Sequence, residues 1–149
     1  PETGGYIWKV NRYRTKAGDV AGSKNTNGYM SIRTNKMHHP CHRIAWIIIY
    51  GTDPDGFIDH INGDKTDNRL SNLRLATKST NGFNTGKRTN NTSGYKGVIW
   101  HKQSGKWLAQ AKVNYKSYYL GLFTDILEAA KAYDDFAKAH HGEFYKSNL

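Results

Sequence analysis

The sequence predicts an α+β chain built in two parts, and three features carry that expectation. Over 56–84 a short strand, a polar loop, a second strand and the opening of a short helix follow one another. Over 107–113, Leu108, Gln110 and Lys112 alternate with Trp107, Ala109, Ala111 and Val113, the period of a strand with one polar and one apolar face. A helix then starts at Asp125, with Glu128 placed for a capping box. It carries Leu127, Ala130, Tyr133, Phe136 and Ala137 as an apolar stripe and has Gly142 at its end. Between the parts, 85–93 is rich in Gly, Asn, Thr and Lys and lacks apolar periodicity, which is linker composition with added positive charge. We place the first domain at 1–84, a basic flexible linker at 85–93 and the second domain at 94–149.

Within the first part, 6–10 and 29–33 read as strands separated by a Gly/Asn/Ser-rich 17–28. The run 42–50 suits a buried helix or strand by periodicity. Gly51 just past its end and Pro54 beyond favour the helix. Strands at 56–60 and 73–76 flank the loop 61–71, and 79–84 begins a helix. In the second part, strands at 97–100, 107–113 and 118–121 are joined by turns at Ser104-Gly105 and 114–116. The expected unit is a small three-stranded antiparallel sheet packed on one helix, with the Gln110/Lys112 face open to DNA.

At 149 residues the chain suffices for one ordinary domain or two small ones. Its net charge of +10 and pI near 9.7 argue for a polyanionic partner, though charge alone does not separate nucleic acid from an acidic membrane. The distribution says more. Between Asp67 and Asp125 there is no acid, while Arg69, Arg74, Lys78, Lys87, Arg88, Lys96, Lys102, Lys106, Lys112 and Lys116 are all basic. That is an electrostatic footprint for phosphates. The single Cys41 excludes an internal disulfide and Cys-pair zinc ribbons, and fits a reducing compartment. No stretch approaches the roughly 20 apolar residues of a membrane span, no signal peptide is recognisable, and a cytoplasmic location is expected. The chain opens at Pro1 and reads as trimmed or processed, with a few residues upstream.

The chemistry gathers at Asp59-His60, Asn72 and Asn81. An imidazole deprotonates water near neutral pH, and a carboxylate oxygen with an amide oxygen holds a hard divalent cation. This is equipment for metal-assisted phosphodiester hydrolysis. Asn62, Asp64, Asp67 and Asn68 read as makers of turn hydrogen bonds. The run from His38 to His42 invites a zinc reading, but it lacks a distant second pair of ligands. It reads as a turn entering the helix, with its histidines available to touch DNA or support the site.

Asp59-His60-Ile61-Asn62-Gly63-Asp64, Asp67-Asn68-Arg69 and Ser71-Asn72-Leu73-Arg74-Leu75, with His42-Arg43-Ile44-Ala45-Trp46 upstream, closely resemble HNH nucleases of the homing-endonuclease type. The resemblance covers about 29–84. It implies a ββα-metal fold with His60 as general base, Asp59 as metal ligand, Asn72 bracing the loop and orienting His60, and Asn81 as second ligand. Asn84 is the alternative to Asn81, and the cofactor would be one Mg²⁺ or Mn²⁺.

The segment from Ser93 onward resembles the Apetala-two/ethylene-response-factor DNA-binding domain. The likeness lies in Gly94-Tyr95-Lys96-Gly97-Val98, Gly105-Lys106-Trp107, Leu120-Gly121 and the run 128–134. Phage-type HNH endonucleases carry such a domain at their C-terminus. The resemblance thus implies a phage- or intron-encoded monomer acting on double-stranded DNA in a bacterial cell, with neither a membrane nor a small-molecule substrate involved.

Candidate DNA contacts are Lys87, Arg88, Lys96, Lys102, Lys106, Gln110, Lys112 and Lys116. Trp100, Trp107 and Tyr119 offer faces to sugars or bases, with core packing as the competing reading. Lys96, Ile99 and Lys112 stand where that family often has Arg, and lysine lacks the fork that grips guanine. Two other readings compete: a non-catalytic DNA-binding regulator on the same scaffold, and an RNA-binding or structural accessory protein. The last leaves Asp59, His60 and Asn81 unexplained.

Overall fold

Glycine and asparagine turns cut the first forty residues into short pieces. Strands β1 (Ser23–Lys24), β2 (Met30–Thr34) and β3 (Met37–Pro40) form an antiparallel sheet in that order. Asn35 and Lys36 both take positive φ, 49° and 66°, as a tight two-residue hairpin turn demands. The computed structural model describes residues 3–84, 86–87 and 89–149.

Two local expectations change here. The run 6–10 is not a continuous strand: only the bridge Ile7↔Val20 forms, with Trp8 N–H donating to Asp19 O at 2.9 Å and Ala21 N–H to Tyr6 O at 2.7 Å. Tyr6 and Trp8 instead pack against the core of Ala21, Ile32 and Cys41. His38 and His39, read as a turn, lie on β3, where they pair with Arg33 and Ile32.

Helix α1 (Cys41–Tyr50) ends as its glycine predicts. Gly51 adopts φ 75° and its N–H reaches Ile47 O at 2.9 Å. Arg43 on this helix donates to Asp53 Oδ1, Pro54 O and Gly56 O at 2.8–3.1 Å, tying the helix to the next strand's entrance. Strands β4 (Phe57–His60) and β5 (Leu73–Ala76) form an antiparallel pair, and Ile58 and Leu73 bury against Ala45 of α1. A 3₁₀ turn, Leu70–Asn72, leads into β5. Helix α2 (Lys78–Asn81) opens on a capping box between Thr77 and Thr80.

Packing divides the chain into two compact units, Pro1–Ala76 and Thr77–Leu149. The division therefore falls ahead of 85–93. The reason is local: Phe83 stacks on His141 with ring centroids 3.8 Å apart, and its carbonyl accepts from the Lys96 amine, so 77–84 packs with the second unit.

The second unit carries β6 (Val98–His101), β7 (Lys106–Val113) and β8 (Lys116–Phe123), antiparallel in that order, with α3 (Ile126–His141) packed on them. Asn114 and Tyr115 repeat the double positive-φ turn between β7 and β8. Fully buried Ala129, Ala130 and Ala137 let α3 approach the sheet closely. At Gly97, φ +76°, a Cβ would lie 2.1 Å from Tyr133 Cδ2, so only glycine fits. The helix cap rests on Asp125, whose Oδ1 accepts from Leu127 N–H at 2.7 Å.

Candidate active site and nucleic-acid surface

Strand β4 delivers Asp59 and His60 to adjacent positions, and both side chains are buried. Asp59 lies directly opposite Arg74 on β5. The guanidinium donates from Nε and Nη2 to Asp59 Oδ2 at 2.9 and 2.8 Å, with side-chain exposures of 11% and 8%. This cross-strand pair sets the carboxylate's rotamer, the service that outer partners give to metal-binding carboxylates. Arg74 is thereby committed within the fold, and Arg69 grips Asp67 with two nitrogens at 2.8 and 2.6 Å. That grip holds the Asp67 carboxyl well below the usual carboxylate range. Of the expected phosphate footprint, Arg74 is therefore structural, whereas Arg69, with its side chain 53% exposed, pairs with Asp67 at the surface.

Asn72 closes the loop between the strands. Its Oδ1 accepts from Asn62 N–H at 2.9 Å, its Nδ2 donates to Asp67 O at 2.8 Å, and its own carbonyl accepts from Ile61 N–H at 2.9 Å. Inside the loop, Asn62 Oδ1 accepts from Asp64 N–H and Asp64 Oδ1 from Thr66 N–H, the turn bonds expected of them. Asn68 does something else. It is 1% exposed, and its Oδ1 lies 3.2 Å from His60 Nε2. Local sequence offered no signal for this, because an Asn in an Asn/Asp-rich loop reads as one more turn former.

His42, in the first turn of α1, stands edge-on to His60 with centroids 5.3 Å apart and planes at 83°. Tyr29 lies 5.8 Å from His60 and 5.4 Å from His42. Burial first, then the electrostatic influence of His60 and Arg43, brings His42 down to about 4, so it is a neutral ring at physiological pH. Its Nδ1 is buried, with no hydrogen-bond partner among the described residues. Cys41 points into the core, where burial raises its thiol to about 11.

Asn81 ends α2, in the second unit, and is half-buried; Asn84 is buried. A carboxylate and a side-chain amide are hard oxygen donors, and these donor types suit a magnesium-type ion. Among the described residues, no group of three or more His, Cys, Asp or Glu side chains is placed to hold a metal ion.

In the second unit the outward sheet face holds Ile99, Gln110, Lys112 and Tyr119, with Gln110 paired to Tyr119 and Lys112 to Ser117 across the strands. Lys102, Lys106 and Lys116 are exposed. Trp107 departs from the DNA-facing expectation: it packs against the core of Val98, Ala109, Ala129 and Ala130, and Trp100 lies edge-on to it at 4.9 Å. Lys96 is half-buried, its amine bonded to Phe83 O, and burial with Lys146 nearby lowers it to about 8. Lys87 is exposed, with its amine 5.8 Å from the Tyr95 ring, while Arg88 lies outside the described residues.

The HNH endonuclease family matches residues 39–83, the stretch holding α1, the β4–β5 hairpin and α2, and the AP2 domain matches 93–143. Protein 3.8 of Escherichia phage T7 is 33% identical over 104 residues, covering 69% of this chain and 85% of that protein. The chain belongs to the HNH endonuclease family. An HNH domain followed by an AP2 domain gives it a DNA nuclease or DNA-binding role, and HNH nucleases generally use a divalent metal. No helix among the described residues is long and apolar enough to cross a membrane.

Proposed function

We propose that this HNH protein is a metal-dependent DNA endonuclease. Its C-terminal domain binds double-stranded DNA, and its N-terminal domain hydrolyses phosphodiester bonds. The observation that carries this reading is His60. It is a buried imidazole at the end of β4, next in sequence to Asp59, whose carboxylate Arg74 engages, and with its Nε2 facing a buried amide. A structural histidine does not need that arrangement; a general base does.

In this mechanism His60 accepts a proton from the attacking water. Asn72 keeps the loop closed, so that the ring holds its place on the hairpin. Asp59, which Arg74 engages, and Asn81 would hold one Mg²⁺ or Mn²⁺. When bound, the ion offsets negative charge on the phosphate and on the departing 3′ oxygen. Products carry 5′-phosphate and 3′-hydroxyl ends. The sheet face around Gln110 and Lys112 supplies affinity through phosphate contacts, which suits a phage enzyme working in its host's cytoplasm as a monomer.

Incubating plasmid DNA with the protein and Mg²⁺, with and without chelator, tests this directly. Nicked or linear product that chelator abolishes is the expected result. Binding without cleavage at any Mg²⁺ or Mn²⁺ concentration would leave a DNA-binding regulator on an HNH scaffold.

A further inference from the structure

Asn68 is among the least exposed side chains of the chain, at 1%. A buried amide must satisfy both of its ends. One end lies 3.0 Å from Thr66 O and the other 3.2 Å from His60 Nε2. A carbonyl offers no proton, so the NH₂ group must face Thr66 and the oxygen must face the ring. That oxygen only accepts, which requires Nε2 to carry a hydrogen.

We propose that Asn68 is a positioning residue that fixes the tautomer of His60, keeping the ring proton on Nε2 and presenting Nδ1 as the atom that takes the proton from water. The inference rests on the reading of His60 as general base. The bonds balance simply: water loses a proton to Nδ1, its oxygen bonds to phosphorus, and the bond from phosphorus to the 3′ oxygen breaks. The leaving oxygen is protonated from solvent. The ring then bears hydrogens on both nitrogens, and Asn68 Oδ1 still accepts from Nε2. Three further contacts hold the geometry. His42 and Tyr29 pack against the ring at 5.3 and 5.8 Å. Gly4 packs so tightly beneath the loop that a Cβ there would lie 2.5 Å from Arg69 N and 2.8 Å from the Asn68 carbonyl carbon.

The test is ¹⁵N NMR of the full chain with labelled histidine, recorded at about pH 9, above the ordinary imidazole range. His60 is assigned by the signal missing from His60→Ala. Expected is a pyrrole-like Nε2 and a pyridine-like Nδ1 in the wild type, the same pattern in Asn68→Asp, and a mixed or inverted pattern in Asn68→Leu. A protonated Nδ1 in the wild type, or an unchanged pattern in Asn68→Leu, overturns the proposal. If Asn68→Leu does not fold, the wild type and Asn68→Asp decide it by whether Nε2 bears the hydrogen. In cleavage assays Asn68→Leu should lose about 10- to 100-fold in rate at unchanged DNA affinity, with Asn68→Asp recovering part of it. The spectrum reads the tautomer whether or not the protein cuts DNA, so a failure of this proposal is distinguishable from a failure of the nuclease reading.

Discussion

His42 ties the candidate site to the stability of the fold. Burial, followed by the electrostatic influence of His60 and Arg43, lowers it to about 4, whereas an unfolded histidine titrates near 6.5. Between those values the unfolded chain binds a proton that the folded one refuses. Stability is therefore full above about pH 6.5 and is lost progressively as pH falls toward 4. His141 in the other unit, lowered to about 4 by burial with Lys96 and His140 nearby, acts in the same direction. Chemical denaturation at stepped pH should show a shallower acid slope for His42→Phe than for the wild type; equal slopes would remove His42 from the account. Arg74 makes a second residue-scale case. Arg74→Ala takes the guanidinium from a carboxylate that is 8% exposed, and should cost about 3 kcal/mol in unfolding free energy. A loss below about 1 kcal/mol would mean that the pair does not hold the hairpin.

At the scale of elements, the features legible in the sequence were those that depend on local pattern. The alternation of Trp107 to Val113 and the stripe on α3 reported their own burial, and Gly51 reported the end of α1. The β4–loop–β5 hairpin was equally legible, because its loop carries its own turn chemistry. What stayed hidden depends on partners distant in sequence. His38 and His39 form β3 only because β2 lies alongside, and of 6–10 Ile7 makes a single bridge to Val20 while Tyr6 and Trp8 turn to the core. Asn68 is the sharpest instance in the site. Nothing in spacing separates it from Asn62, and only the folded loop brings it to His60. Elements also rest on single residues: Gly97→Ala would drive a Cβ into Tyr133 and strain a positive φ, costing about 3 kcal/mol. A thermal scan that left the melting temperature unchanged would contradict the close packing of β6 on α3.

Across the whole molecule, the positive charge divides by use. Arg74 is spent inside the hairpin, while Lys102, Lys106, Lys112 and Lys116 are exposed on the second unit. If about six basic groups meet phosphates, the logarithm of the binding constant should fall with the logarithm of salt concentration at a slope of roughly −5. A slope shallower than about −2 would mean that this surface is not the main source of affinity. Replacing Lys112 and Gln110 with Ala should weaken binding without altering the metal dependence of cleavage, because those side chains lie on the outward sheet face and not on the β4–β5 hairpin.

The central claim is that the His60 imidazole performs the chemistry while the C-terminal sheet holds the DNA, and single-turnover cleavage by His60→Ala at saturating DNA and Mg²⁺ tests it most directly. A loss of about 10²- to 10⁴-fold in rate with DNA affinity unchanged is the expected result. Cleavage at the wild-type rate would contradict the account.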